Sequence, residues 1–219
     1  MLSASTALEF VKKSIDEFTS IAEGSMMTSS DSPALEKMVD EAMEEAVVRV
    51  HENADPRYLD GITTTVTGIA YTPVGGTAQN TILKVSLTAD VIRVLSVQND
   101  SSPILVTEFI PEGSAEARKQ ENEHIRGTYD DPRVVQRRKS GAGGYRPEFI
   151  YYSISADGSK NFTVEYIPYP DASDDEYSIC PRLKSAVLNE VTAIVLEGLG
   201  EVERAQIHRA RYAQYMQKQ

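Results

Sequence analysis

At 219 residues with 41% hydrophobic side chains, the chain is long enough to bury one core, or one core carrying a large insertion. Its formal net charge of -11 excludes coating nucleic acid with the whole surface, because phosphates would be repelled, and confines any such contact to a local patch. A single cysteine, Cys180, excludes an internal disulfide, three histidines leave little for a soft-metal centre, and no run approaches the roughly 18 apolar residues of a membrane span.

The opening MLSASTALEF lacks the basic and apolar regions of a secretory signal, so synthesis in the cytoplasm is expected. Ala4, Leu8, Val11, Ile15, Phe18 and Ala22 recur at helical spacing and predict an amphipathic helix over 4–22, with Thr6 and Glu9 spaced as a capping box. Gly24 closes it, and SMMTSSD reads as a loop. A second helix follows, with Ser32 as N-cap, Pro33 at the first position and Leu35, Met38, Val39, Ala42, Ala46 and Val50 as its apolar stripe. The other face carries Glu36, Asp40, Glu41, Glu44 and Glu45, either a solvated surface or a contact for a basic neighbour.

Past Asp55 and Pro56 the period changes to two. Residues 62–71 and 81–87 alternate as strands, and PVGGTAQN between them has turn chemistry, so a hairpin is predicted. Further strands are expected at 91–97, 104–110, 133–138, 148–154 and 162–167, with a polar helical or irregular interruption over 112–127. From Pro181 the helical period returns through Leu183, Val187, Leu188, Val191, Ile194 and Val195. It is broken at Gly198-Leu199-Gly200 before a last helix with Val202, Ala205, Ile207, Tyr212 and Tyr215. The expectation is an α+β fold: terminal amphipathic helices (1–60 and 171–219) packed as a bundle, with an antiparallel, sandwich- or barrel-like β module (61–170) inserted.

Arrangements that carry chemistry are sparse. There is no HExxH and no CxxC, and His51, His124 and His208 fall in different elements, where a surface or capping role is expected. The run from Lys139 to Gly144 has glycines that could cradle a phosphate, but it lacks the Gly-Lys-Ser/Thr of a P-loop and lies between strands, which favours a flexible loop. Cys180, before Pro181, reads as a small apolar residue. Asp171, Asp174, Asp175 and Glu176 lack the order of a calcium loop and read as a solvated linker. No metal, cofactor or catalytic residue is assigned. One basic stretch stands out: Arg133, Arg137, Arg138, Lys139 and Arg146 occur with no acidic residue among them. They form a candidate loop for an acidic neighbouring subunit, for DNA phosphates, or for no partner at all.

Several segments, taken in order, resemble the ring or tail-adaptor proteins beneath the portal of podovirus-type phages, particularly crAss-like ones. They are LEKMVDEAMEEAVVRVHENADPRYL, LTADVIRVLSV, ENEHIRGTYDDPRV, the Tyr-x-Pro at 166–170, and the closing helices ending ERAQIHRARYAQY. The likeness is motif-level in about a third of the chain, and the tryptophan such sheets often carry is absent. The resemblance implies a non-enzymatic head-to-tail connector in the virion neck. It would be a homo-oligomeric ring, twelvefold, bound to the portal protein and to other ring or tail proteins, with DNA passing through its lumen. The residues themselves leave open two other readings, a nucleic-acid-binding adaptor acting through the basic loop and an unrecognised hydrolase.

Overall fold

The computed structural model describes residues 1–19, 33–59, 61–77, 80–128, 130–141, 144–154, 161–170 and 176–217. In chain order the elements are β1 (Leu2–Ser3), α1 (Ala4–Thr19), α2 (Pro33–Asn53), β2 (Thr64–Ile69), β3 (Tyr71–Thr77), β4 (Asn80–Ser86), β5 (Val91–Asn99), β6 (Leu105–Val106), β7 (Ile110–Pro111), α3 (Ala115–Lys119), β8 (Arg133–Ser140), β9 (Tyr145–Ile154), β10 (Phe162–Pro168), β11 (Glu176–Tyr177), α4 (Lys184–Gly198) and α5 (Val202–Gln217). The fold class is α+β, as the sequence predicts. The chain forms two compact units, one from Met1–Ile62 with Pro170–Gln219 and the other from Thr63–Tyr169.

In the helical unit, α4 is the hub, packed by α1, α2 and α5. It buries Ala186, Val187, Val191, Ala193, Val195 and Leu196, so apolar residues occur on most of its circumference. Helix α2 turns Leu35, Val39, Ala42, Met43, Ala46, Val47 and Val50 inward. The cap of α1 differs from expectation. The Thr6 N–H donates to the Ser3 Oγ at 3.3 Å, so Ser3 caps the helix and Thr6 lies inside it. Pairing of Leu2 and Ser3 with Tyr177 and Glu176 of β11 fixes that start. The buried stripe of α1 runs through Ala7, Val11 and Ile15, while Leu8 is half-buried. Phe18 and Ala22, the Gly24 stop, the SMMTSSD loop and the Ser32 cap lie outside what is described of side chains or backbone.

Helix α4 ends as the two glycines foretell. Gly200 has φ +82°, its N–H donates to the Glu197 carbonyl at 3.0 Å, and the Glu201 N–H donates to the Leu196 carbonyl at 2.8 Å. This is a Schellman close, satisfying carbonyls that the last turn would leave bare.

The β unit is a nine-stranded, mostly antiparallel sheet in the order β2-β10-β5-β9-β4-β3, with β6 on β5, and β8 joining β9 to β7. Strands β5 and β9 pair only at Val91 and Tyr145, so the sheet divides there into two halves. A common core lies between them, with Leu83, Val85, Val134, Phe149 and Tyr151 from one half and Val91, Val94, Val97, Phe162, Val164 and Tyr166 from the other. The Tyr151 ring meets Phe162 edge-on at 5.2 Å.

Two strand expectations are corrected. The predicted strand over 62–71 is two strands, β2 pairing with β10 and β3 with β4, and the supposed turn residues Pro73, Val74, Gly75 and Gly76 belong to β3. Proline is tolerated because β3 is an edge strand, where a missing N–H leaves no ladder bond unmade. Residues 104–110 are not one strand either: only Leu105–Val106 and Ile110–Pro111 pair, with β5 and β8 respectively, because this segment crosses from one sheet half to the other.

Candidate functional site

The basic stretch is a hairpin rather than a loop. β8 and β9 pair along their full facing length, from Arg133 opposite Tyr152 to Ser140 opposite Tyr145. Regular pairing commits the basic side chains to definite neighbours. Arg133 Nη2 lies 2.8 Å from Asp131, Arg137 Nε 2.6 Å from Glu112, Lys139 Nζ 2.9 Å from Glu148, and Arg146 Nε 2.7 Å from Asp90. Arg138 is different. Its guanidinium sits 4.6 Å over the Tyr145 ring, and no described carboxylate forms an ion pair with it.

The glycine run after Lys139 has a packing reason. A Cβ on Gly141 would come within 2.1 Å of Asp90 Oδ1, and one on Gly144 within 2.6 Å of the Val91 carbonyl oxygen. The glycines let the hairpin end close against the start of β5; Ala142 and Gly143 lie outside the described residues.

Glu148 anchors the charges on this sheet face. It is 2% exposed, and Lys84 Nζ at 2.7 Å, Lys139 Nζ at 2.9 Å and Arg137 Nη1 at 3.7 Å surround it, while the Ser86 hydroxyl donates at 3.2 Å. Burial alone would raise its pKa. The hydrogen bonds from Lys139 and Lys84 and their charges outweigh that and hold it down to about 2.

The helical unit holds a second polar network that sequence reasoning missed. Glu190 is fully buried and ion-paired with Arg49, which also pairs with Glu45. Arg209 donates to Glu197 at 2.9 and 2.8 Å and lies 3.8 Å from Glu190. Beside them His208 Nδ1 and Asn189 Oδ1 are 3.0 Å apart. The signal was present: Asn189-Glu190 interrupts the apolar run of α4, and a polar pair there must find partners. The surface role expected of His51 and His208 is also corrected, since they are 2% and 0% exposed. Burial lowers the His51 pKa to about 4. His124 is on the surface, as expected, with its side chain 83% exposed.

Of the predicted acidic face, Glu36, Asp40, Glu41 and Glu45 are exposed and Glu44 is half-buried. Glu41 pairs with Lys37 at 3.6 Å and Glu45 with Arg49, whereas Glu36 and Asp40 have no cationic partner among the described residues. Glu176, in β11, pairs with Ser3 of β1, while Asp171, Asp174 and Asp175 lie outside the described residues.

Beside these charges is a cleft of about 630 Å³ in the β unit, where β5 parts from β8 and β9. Arg93, Thr107, Phe109, Gln136, Arg138 and Tyr145 line it. Gln136 Nε2 donates to the Tyr145 hydroxyl at 3.2 Å. Glu112 stands at the rim with its charge engaged by Arg137. Guanidinium, amide and hydroxyl groups over an apolar floor suit carboxylates presented by a partner. No cluster of three or more histidine, cysteine, aspartate or glutamate side chains arranged for a metal occurs among the described residues, nor is any described helix long and apolar enough to cross a membrane. No protein-family model and no curated protein matches the chain.

Proposed function

We propose that the protein is a structural subunit of a phage virion, a head-to-tail connector that forms a homo-oligomeric ring under the portal and joins capsid to tail. The resemblance of the ordered segments supplies the class. The observation that carries it is the pair of unlike outer surfaces on the helical unit. Helix α5 leaves Ile207 42% and Tyr215 41% exposed, two turns apart with Arg211 between them, although the unit already has a closed core. Helix α2 presents Glu36, Asp40 and Glu41. Unlike surfaces on one subunit generate head-to-tail contacts, and such contacts close into rings when the rotation divides a circle. Apolar side chains grouped on one face of a surface helix favour a contact there, whereas single exposed ones are ordinary.

The reading of a nucleic-acid adaptor has less support, because Arg133, Arg137, Lys139 and Arg146 are each matched by a carboxylate in the same chain and contribute little net field toward phosphate. Native mass measurement of the full chain, alone and with the portal protein, is the test. A ring mass or a stable complex with the portal is expected, and Ile207→Asp with Tyr215→Asp should abolish it with the circular dichroism spectrum unchanged. A chain that stays monomeric under both conditions would sink the proposal.

A further inference from the structure

Resting on that reading of self-assembly, we infer that the cleft lined by Arg93 and Arg138 receives helix α2 of a second copy, with Arg138 donating hydrogen bonds to the carboxylates of Glu36 and Asp40. Unmatched charge selects the two surfaces. On a chain with net charge -11, cations are scarce, and those on β8 and the start of β9 are almost all taken by neighbours. Arg138 is the exception among them, and it lines the cleft. Its guanidinium lies 4.6 Å over the Tyr145 ring, and a contact through the guanidinium face leaves the N–H edge for an acceptor.

Glu36 and Asp40 are the counterpart. They are exposed, one helical turn apart, and without a cationic partner among the described residues. Side chains at that spacing stand about 5–6 Å apart at their Cβ atoms on one face, so they can enter one cleft together. Inside, Gln136 and Thr107 offer further donors, while Val94 and Phe109 make an apolar floor for the aliphatic parts of the incoming glutamate. The charge that would oppose them, Glu112, is already held by Arg137 at 2.6 Å. The contact joins different surfaces of two copies and is therefore head-to-tail.

Sedimentation velocity on the full chain at low and high salt provides the test, with folding checked by circular dichroism. Arg138→Glu should weaken self-association by about tenfold or more, as should Glu36→Lys with Asp40→Lys, and salt should weaken the native contact. A chain carrying all three changes should associate again, since the signs are exchanged, and Arg138→Gln should fall between. If the native chain assembles and Arg138→Glu assembles equally well, or the triple variant fails to recover, the inference is overturned while the connector reading stands. A native chain that is monomeric alone and with the portal overturns both.

Discussion

Replacing Glu148 by glutamine keeps the volume of a nearly buried side chain and removes one negative charge from among three cations. Holding that carboxyl near 2 instead of the usual 4.5 corresponds to about 3 kcal/mol at neutral pH. Lys84, Arg137 and Lys139 are themselves 32%, 39% and 60% exposed, so solvent screening reduces the expected loss to about 1–2 kcal/mol. The pH dependence carries the sign. A carboxyl whose folded pKa is depressed contributes its full stability above about 4.5 and loses it as pH falls through about 2. Urea unfolding followed by hydrogen exchange of the sheet peptides should therefore show Glu148→Gln less stable than the native chain at pH 7. The gap should narrow steadily between pH 4.5 and 2. A gap of equal size at pH 7 and pH 2.5, or none at pH 7, would refute the reasoning, because the stabilisation would then not be that of the ionised group.

Removing Arg49 with Arg49→Met leaves Glu190 buried with Arg209 at 3.8 Å as its nearest remaining cation, and should destabilise the helical unit by about 2–4 kcal/mol. Adding Glu190→Leu should restore part of that loss in urea titrations. His51 works with the opposite charge: burial holds its pKa near 4 against an ordinary 6.5, so the unfolded chain binds the proton more readily between those values. Stability of the helical unit should fall as pH drops from about 6.5 to 4, and thermal melts of His51→Leu should show a flatter profile over that range. Gly200→Ala, at φ +82°, should cost about 1 kcal/mol, read as a lowered melting temperature of the α4–α5 hairpin.

Much of the secondary structure was legible because one physical signal dominated locally. Helix α2 has an apolar residue at nearly every inward position, and the break after α4 is set by Gly200, whose φ of +82° other residue types rarely adopt. Strand β5, with Val91, Ile92, Val94 and Val97 buried, shows itself the same way. Failures occurred where a distant partner decides. Ser3 rather than Thr6 caps α1 because β11, more than 170 positions along the chain, pins the strand before it. Pro73 and Gly75 look like turn residues until β3 is known to be an edge. Residues 104–110 have strand composition, but a segment that must cross between sheet halves can pair only at its ends.

Charge was the least legible property, and the reason bears on the candidate site. A run of basic residues in sequence reports how many cations there are, whereas recognition depends on how many lack a counter-ion once the chain has folded. Strand pairing places Glu148 opposite Arg137, and Asp90 next to Arg146, although they are 56 positions apart. These contacts quench the apparent basic patch from within. The same folding leaves Arg138 over an aromatic ring and Glu36 and Asp40 on an outward helical face, without counter-ions among the described residues. Desolvating an ion that already has a partner gains little, while bringing together two unmatched opposite charges gains attraction with no intramolecular pair to break. The candidate contact is therefore set by the charges that pairing leaves over, and these become visible only when the sheet register is known.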